Sequence, residues 1–74
     1  MTINESKAYL RSRYAYHGLT QEQVAVDVLH VDPATLSRYM TGSVQWPLWA
    51  IQALMDYCGI SSADVYSIFI QPYV

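Results

Sequence analysis

Apolar residues recur three and four positions apart along this chain, in five segments that glycine and proline residues separate. This spacing places side chains on one face of an α-helix. The inward-facing sets that it predicts are Leu10 and Tyr14; Val24, Ala25 and Val28; Leu36, Tyr39 and Met40; Leu48, Ile51, Leu54 and Met55; and Val65, Ile68 and Phe69. The pattern therefore predicts five helices around one core and no substantial sheet.

Helix starts are marked by capping residues and helix ends by glycines. Three residue pairs have the spacing of a capping box, in which two side chains satisfy free backbone N–H groups: Thr2 with Glu5, Thr20 with Gln23, and Ser61 with Asp64. Asp32 is expected to cap the third helix, with Pro33 at its first position, and Pro47 to start the fourth. The expected ends, where glycine takes the left-handed conformation, are Gly18, Gly42 and Gly59.

Composition favours one folded domain over residues 1–74, because 53% of the residues are hydrophobic and 14% are charged. The single cysteine, Cys58, excludes an internal disulfide. No apolar run approaches the roughly 20 residues of a membrane helix, and the start lacks the basic and apolar regions of a signal peptide. We therefore expect a cytoplasmic protein.

The net charge of −2 is unevenly distributed. Residues 1–20 carry three basic residues against one acidic one, whereas residues 21–74 carry one basic residue, Arg38, against five acidic ones. A basic surface must therefore come from the first helix, with Lys7, Arg11 and Arg13, together with Arg38.

The second and third helices have the lengths and spacing of a helix-turn-helix. Each is about eight residues long, and a turn of three or four residues separates them. Ala25 is a small residue at the expected helix crossing, and Leu36 is an apolar residue near the middle of the second motif helix. These features predict a central helix-turn-helix.

Four stretches then occur in a characteristic order: residues 19–25, residues 35–39, Gly42 and residues 53–61. This set resembles the Cro/repressor (Xre-type) helix-turn-helix proteins of temperate phages and bacteria, over roughly residues 10–68. The resemblance implies an all-α, five-helix domain of the lambda-repressor type. One departure is the turn between the motif helices. The family usually has glycine there, whereas this chain has Leu29 and His30, which makes the turn one residue longer than usual. A longer turn can re-aim the second motif helix.

The resemblance also implies which residues contact DNA. The start of the second motif helix and the positions one turn later face the major groove, and here they are Pro33, Ala34, Ser37 and Arg38. Only Arg38 can bind a guanine edge with two hydrogen bonds. Gln21, at the capped start of the first motif helix, is expected to contact a phosphate. These few groups predict weak binding with a shallow salt dependence.

Two functions fit the sequence. One is a transcription regulator that binds operator DNA as a dimer, as the resemblance implies. The other is a module that binds another regulator as an antirepressor or modulator, which the acidic balance and Asp32 favour. No Ser–His–Asp or Cys–His set is recognisable, and His17 and His30 have no ligands at metal-binding spacing, so we expect no enzyme, no metal site and no cofactor.

Two apolar features leave alternatives open. Trp46, in a loop of residues 43–46 predicted to be polar, and Trp49 suit either ordinary packing or an interaction surface. The segment of residues 68–74 is apolar and too long for a small core to cover fully, which favours a homodimer through this C-terminal segment. The alternative is that Ile68 and Phe69 complete the core and only Tyr73 and Val74 are loose.

Overall fold

The computed structural model describes residues 1–74 and contains helices without any strand. Helix α1 spans Ile3–Tyr16, α3 spans Pro33–Thr41 and α4 spans Leu48–Cys58. Helix α2 combines an α-helical turn, Gln21–Gln23, with a π-helical stretch, Val24–Val28. The prediction of an all-α domain with five helices is confirmed.

The fifth helix, α5, changes its hydrogen-bonding pattern along residues 62–73. It begins as a 3₁₀ turn, Ser62–Asp64, continues as a π-helical stretch, Tyr66–Ile70, and ends as a second 3₁₀ turn, Gln71–Tyr73. Pro72 lies inside this last turn. Helix α1 contacts both α3 and α5, and α2 packs against α3 and α4.

One cluster of 17 buried hydrophobic residues forms the core between these helices. It includes every residue predicted to face inward except three, which lie at helix ends or edges: Leu48, Met55 and Val65. Leu48 is 73% exposed, so its predicted burial is wrong, whereas Met55 and Val65 are half-buried. Leu48 is the first residue of α4, and the core lies beneath the later turns of that helix.

Two of the three predicted capping boxes are present. Thr2 and Glu5 exchange hydrogen bonds of 3.1 and 2.9 Å, and Thr20 and Gln23 do the same at the start of α2. The bond from the Thr2 N–H also lowers the pKa of the Glu5 carboxyl. These local signals fixed the starts of α1 and α2.

The other two predicted caps are wrong in detail. Ser61 accepts a bond from the Ala63 N–H, but the Asp64 carboxylate accepts no bond from the Ser61 N–H. Asp32 occupies the N-cap of α3 with Pro33 behind it, yet its side chain makes no cap hydrogen bond. The Asp32 carboxylate is therefore an exposed charge at the start of α3.

The turn between α2 and α3 keeps the left-handed conformation without a glycine. His30 has φ +55°, the only positive value outside the three glycines. The residue after it, Val31, donates its N–H to the carbonyl of Ala25, six positions back. A π-helical stretch takes up more residues per turn than an α-helix. The π-helical stretch of α2 therefore accommodates the additional residue that the sequence predicted in the turn.

Trp46 belongs to the core, and the prediction of a polar loop there is wrong at this position. Its side chain is only 5% exposed and packs against the rings of Tyr39 and Phe69 at centroid distances of 5.3 and 5.1 Å. Its indole N–H is buried without a hydrogen-bond partner. Trp49, by contrast, is half-exposed. The two tryptophans therefore have different environments.

Leu36→Ala is expected to lower the free energy of unfolding by about 2–5 kcal/mol, because the side chain is completely buried and its loss leaves a cavity. Tyr57→Ala removes a larger side chain from an exposed position and is the control, with an expected change within about 0.5 kcal/mol. Chemical denaturation followed by circular dichroism measures both. Equal effects of the two substitutions would contradict the core described here.

Candidate nucleic-acid interface

Four of the five candidate site residues lie on the accessible side of α3. Pro33 is its first residue, and Pro33, Ala34, Ser37 and Arg38 are all exposed. The i, i+3, i+4 spacing puts Ala34, Ser37 and Arg38 on one face of the helix. The opposite face, which includes the fully buried Leu36, is held in the core. A rigid helix thus presents one strong hydrogen-bonding group, the Arg38 guanidinium.

Gln21 lies at the start of α2, where two backbone N–H groups have no intrahelical partner. The capping box engages the N–H of Gln23, which leaves those of Gln21 and Glu22 for another acceptor. The side chain of Arg11, on α1, donates its Nε–H to Gln21 Oε1 over 3.3 Å. The fold therefore brings a guanidinium to this helix start, an arrangement that suits an anion.

The basic residues of α1 have separate roles. Lys7 and Arg11 are one turn apart and share a face of the helix, and Arg11 is exposed. Arg13 instead donates from Nε and Nη2 to the carbonyl of Cys58, over 3.1 and 2.6 Å. That carbonyl lies at the C-terminal end of α4, where helices lack internal donors and favour a positive charge. Arg13 is therefore a structural cap and not part of the accessible basic surface.

Acidic side chains surround the same two helices. Glu22 and Asp27 on α2 and Asp32 before α3 are all exposed. Glu22 and Asp27 also line a shallow depression on the outer side of α2, next to the half-exposed Val26. The two motif helices and the turn between them thus present three carboxylates and one arginine, Arg38, a balance that weakens attraction for phosphate and suits a basic protein surface.

Two buried side chains have pKa values above the ordinary range. Burial raises the pKa of the Cys58 thiol and of the Tyr14 phenol, so both stay protonated at neutral pH. No group of three or more His, Cys, Asp or Glu side chains is placed to hold a metal ion. None of the helices combines the length and hydrophobicity required to cross a membrane.

An apolar groove of about 550 Å³ lies on another side of the molecule, between the loop after α3, the start of α4 and the end of α5. None of its ten lining residues has a charged side chain. Trp46 and Phe69 are buried among them, and Leu48 and Val74 are the most exposed of its large hydrophobic residues, at 73% and 91%. Ile68 and Phe69 complete the core, so only part of the C-terminal segment is accessible.

A family model described as a helix-turn-helix domain matches residues 8–66. The chain belongs to the helix-turn-helix domain family. The match begins within α1 and ends within α5, so it contains both motif helices and all the candidate contact residues. Neither a curated protein nor a solved structure matches the chain.

Within this helix-turn-helix domain, sequence reasoning identified the exposed residues of α3 but missed the pairing of Arg11 with Gln21. The charge count indicated a basic first helix without showing which of its residues would reach the motif. The only available signal was the turn at Gly18, which sends the chain back so that residues on either side of it approach each other. Helical spacing could not show that Arg13 points to α4 instead.

Proposed function

We propose that this protein is a small transcription regulator of the Cro/repressor type, which binds operator DNA as a homodimer in the cytoplasm. The observation that carries the proposal is the juxtaposition of two sites on one motif. The exposed face of α3 carries Arg38, and the start of α2 carries Gln21 with Arg11 beside it. Base contact and phosphate contact are the two elements that a groove-binding helix requires.

The proposed contacts divide between these two sites. Arg38 binds a guanine in the major groove through two hydrogen bonds, while Ser37 and Ala34 lie against neighbouring base edges. Gln21, the free N–H groups of α2 and the Arg11 guanidinium bind the backbone phosphates, which fixes the helix in register. Pro33 contributes only van der Waals contact, because it has no hydrogen-bond donor. The residue types therefore favour a short half-site with one dominant guanine contact.

A homodimer offsets the small number of contacts in each half-site. Two copies related by a twofold axis contact half-sites about one helical turn of DNA apart, so their contacts add. The apolar groove is the proposed interface, because it lacks charge and combines the exposed Leu48 with the accessible end of the C-terminal segment. Exposed apolar surfaces of this kind favour protein contacts.

A second function rests on a different observation, the three exposed carboxylates around the motif. In that case the carboxylates of Glu22, Asp27 and Asp32 bind the basic DNA-contacting face of another regulator and modulate its repression. We place this below DNA binding, because the Arg11 and Gln21 pairing creates an anion-binding arrangement that such a partner would not require.

For the DNA-binding function, Arg38→Ala is expected to weaken specific binding by about 1–3 kcal/mol while the melting temperature stays constant, because an exposed base contact is lost. Arg11→Ala is expected to weaken binding to all sequences and to reduce the slope of log K against log salt by about one. Fluorescence anisotropy with duplexes from the DNA flanking the gene measures both. Gln52→Ala, exposed on α4, is the control. Unchanged affinity of both arginine variants would exclude this interface.

Asp32→Asn distinguishes the two functions, because they predict changes of opposite sign. If DNA binds here, removing a carboxylate that repels phosphate is expected to raise affinity about two- to fivefold at low salt. If a basic protein binds here, the same change is expected to reduce its capture in a quantitative pull-down from the native host. Folding is expected to be little affected, since the Asp32 side chain makes no cap hydrogen bond.

The proposed homodimer predicts concentration-dependent mass in sedimentation equilibrium. Leu48→Ser combined with Val74→Asp is expected to weaken self-association at least about tenfold, because both side chains are exposed in the monomer and apolar area is lost only from the interface. Tyr57→Ser, an exposed aromatic residue outside the groove, is the control. A wild-type protein that remains monomeric at high micromolar concentration would rule this dimer out.

A further inference from the structure

The last turn of α5 closes over the C-terminal end of α3. The hydroxyl of Tyr73 donates to the carbonyl of Met40 over 3.2 Å. The ring of the same residue lies against Gly42, so closely that a β-carbon added there would approach Tyr73 Cδ1 to 2.8 Å. One side chain thus makes a polar contact and a steric contact with the end of α3.

The hydroxyl of Tyr73 donates to a backbone carbonyl that has no hydrogen-bond donor within α3. Carbonyls in the last turn of an α-helix have no intrahelical donor, and the carbonyl of Met40 lies in that turn. Two neighbouring carbonyls have donors from nearby in the chain: the N–H of Gly42 donates to the carbonyl of Tyr39, and that of Val44 to the carbonyl of Arg38. Tyr73 is the donor from a distant part of the chain that completes this end of α3.

The segment that carries Tyr73 is itself anchored to α1. The buried hydroxyl of Ser6 donates to the carbonyl of Ile68 over 2.6 Å. The amino nitrogen of Met1 donates to Gln71 Oε1 over 2.5 Å. Because α5 is held against α1 at these points, Tyr73 adds a second connection between α1 and α3, beside the direct contact of the two helices.

We infer that Tyr73 is a positioning residue for the DNA-contacting helix. It fixes the C-terminal end of α3 relative to α1, and so fixes Arg38 relative to the phosphate-binding pair of Arg11 and Gln21. The inference rests on the proposed DNA-binding function for its consequence, since the contact itself is independent of any ligand. Tyr73 touches no DNA and acts through α3.

Hydrogen exchange tests the contact without DNA. In Tyr73→Ala, the amides of Gly42 and Val44 are expected to exchange about tenfold faster, because the far end of α3 loses both contacts. The amide of Ala50, which bonds to Pro47 in the first turn of α4, is the internal control and should keep its rate. Tyr73→Phe keeps the ring and is expected to show a smaller increase of about two- to fivefold. Unchanged exchange in Tyr73→Ala overturns the inference.

Two glycines offer a matched pair for the steric contact. Gly42 and Gly18 both have left-handed backbones, at φ +83° and +72°, so alanine strains both similarly. Nothing lies within 4 Å of a β-carbon at Gly18, whereas one at Gly42 meets the Tyr73 ring. Gly42→Ala is therefore expected to lower the melting temperature more than Gly18→Ala does, and the excess should vanish in a Tyr73→Ala background. Equal effects in both backgrounds overturn the steric part.

Binding to duplexes from the DNA flanking the gene then tests the consequence. Tyr73→Ala is expected to weaken specific binding about five- to tenfold, with partial rescue in Tyr73→Phe and an unchanged slope against salt, because no phosphate contact is lost. Tyr73 also lines the apolar groove proposed as the dimer interface, so affinities are compared at concentrations where sedimentation equilibrium gives the variants the same mass as the wild type. Faster exchange with unchanged affinity overturns the positioning role. If wild-type protein binds none of these duplexes, the proposed function fails, while the exchange data still decide whether Tyr73 holds α3.

Discussion

The packing of α2 against α3 is the constraint on which the rest of this structure depends. Val24, Ala25 and Leu36 are each completely buried, and α1, α4 and α5 surround the two motif helices. A small residue on α2 allows the close approach that a short helix needs in order to bury its inner face. Because the inner face of α3 is fixed in this way, its outer face with Ala34, Ser37 and Arg38 is presented rigidly to the exterior.

Backbone adjustments preserve this packing despite an unusual sequence. The π-helical stretch of α2 accommodates a residue that would otherwise lengthen the turn, and His30 adopts the left-handed conformation that glycine usually supplies. The cost of the left-handed conformation, roughly 1–2 kcal/mol for a residue with a β-carbon, is tolerated because the buried residues on both sides hold the turn. The motif thus keeps its geometry at the expense of local strain.

The chain has few charged residues. One of its basic side chains stabilises the fold, and the others are available at the surface. Of four basic residues, Arg13 caps the end of α4, so the accessible positive charge near the motif comes from Arg11 and Arg38, with Lys7 farther along α1. Three exposed carboxylates oppose them. For the proposed DNA-binding function, this balance means that few contacts carry the specificity.

The sequence by itself determined the helices, the boxes at Thr2 and Thr20, the glycine ends and the helix-turn-helix, because these depend on residues within one or two turns of each other. Only the tertiary structure decided that Trp46 is buried and Leu48 exposed, that Arg13 reaches Cys58, and that Arg11 meets Gln21. It also placed Tyr73 against Gly42. Each of these outcomes joins residues far apart in the chain or depends on which side of a helix meets the core, and periodicity within one segment contains no information about its neighbours in space.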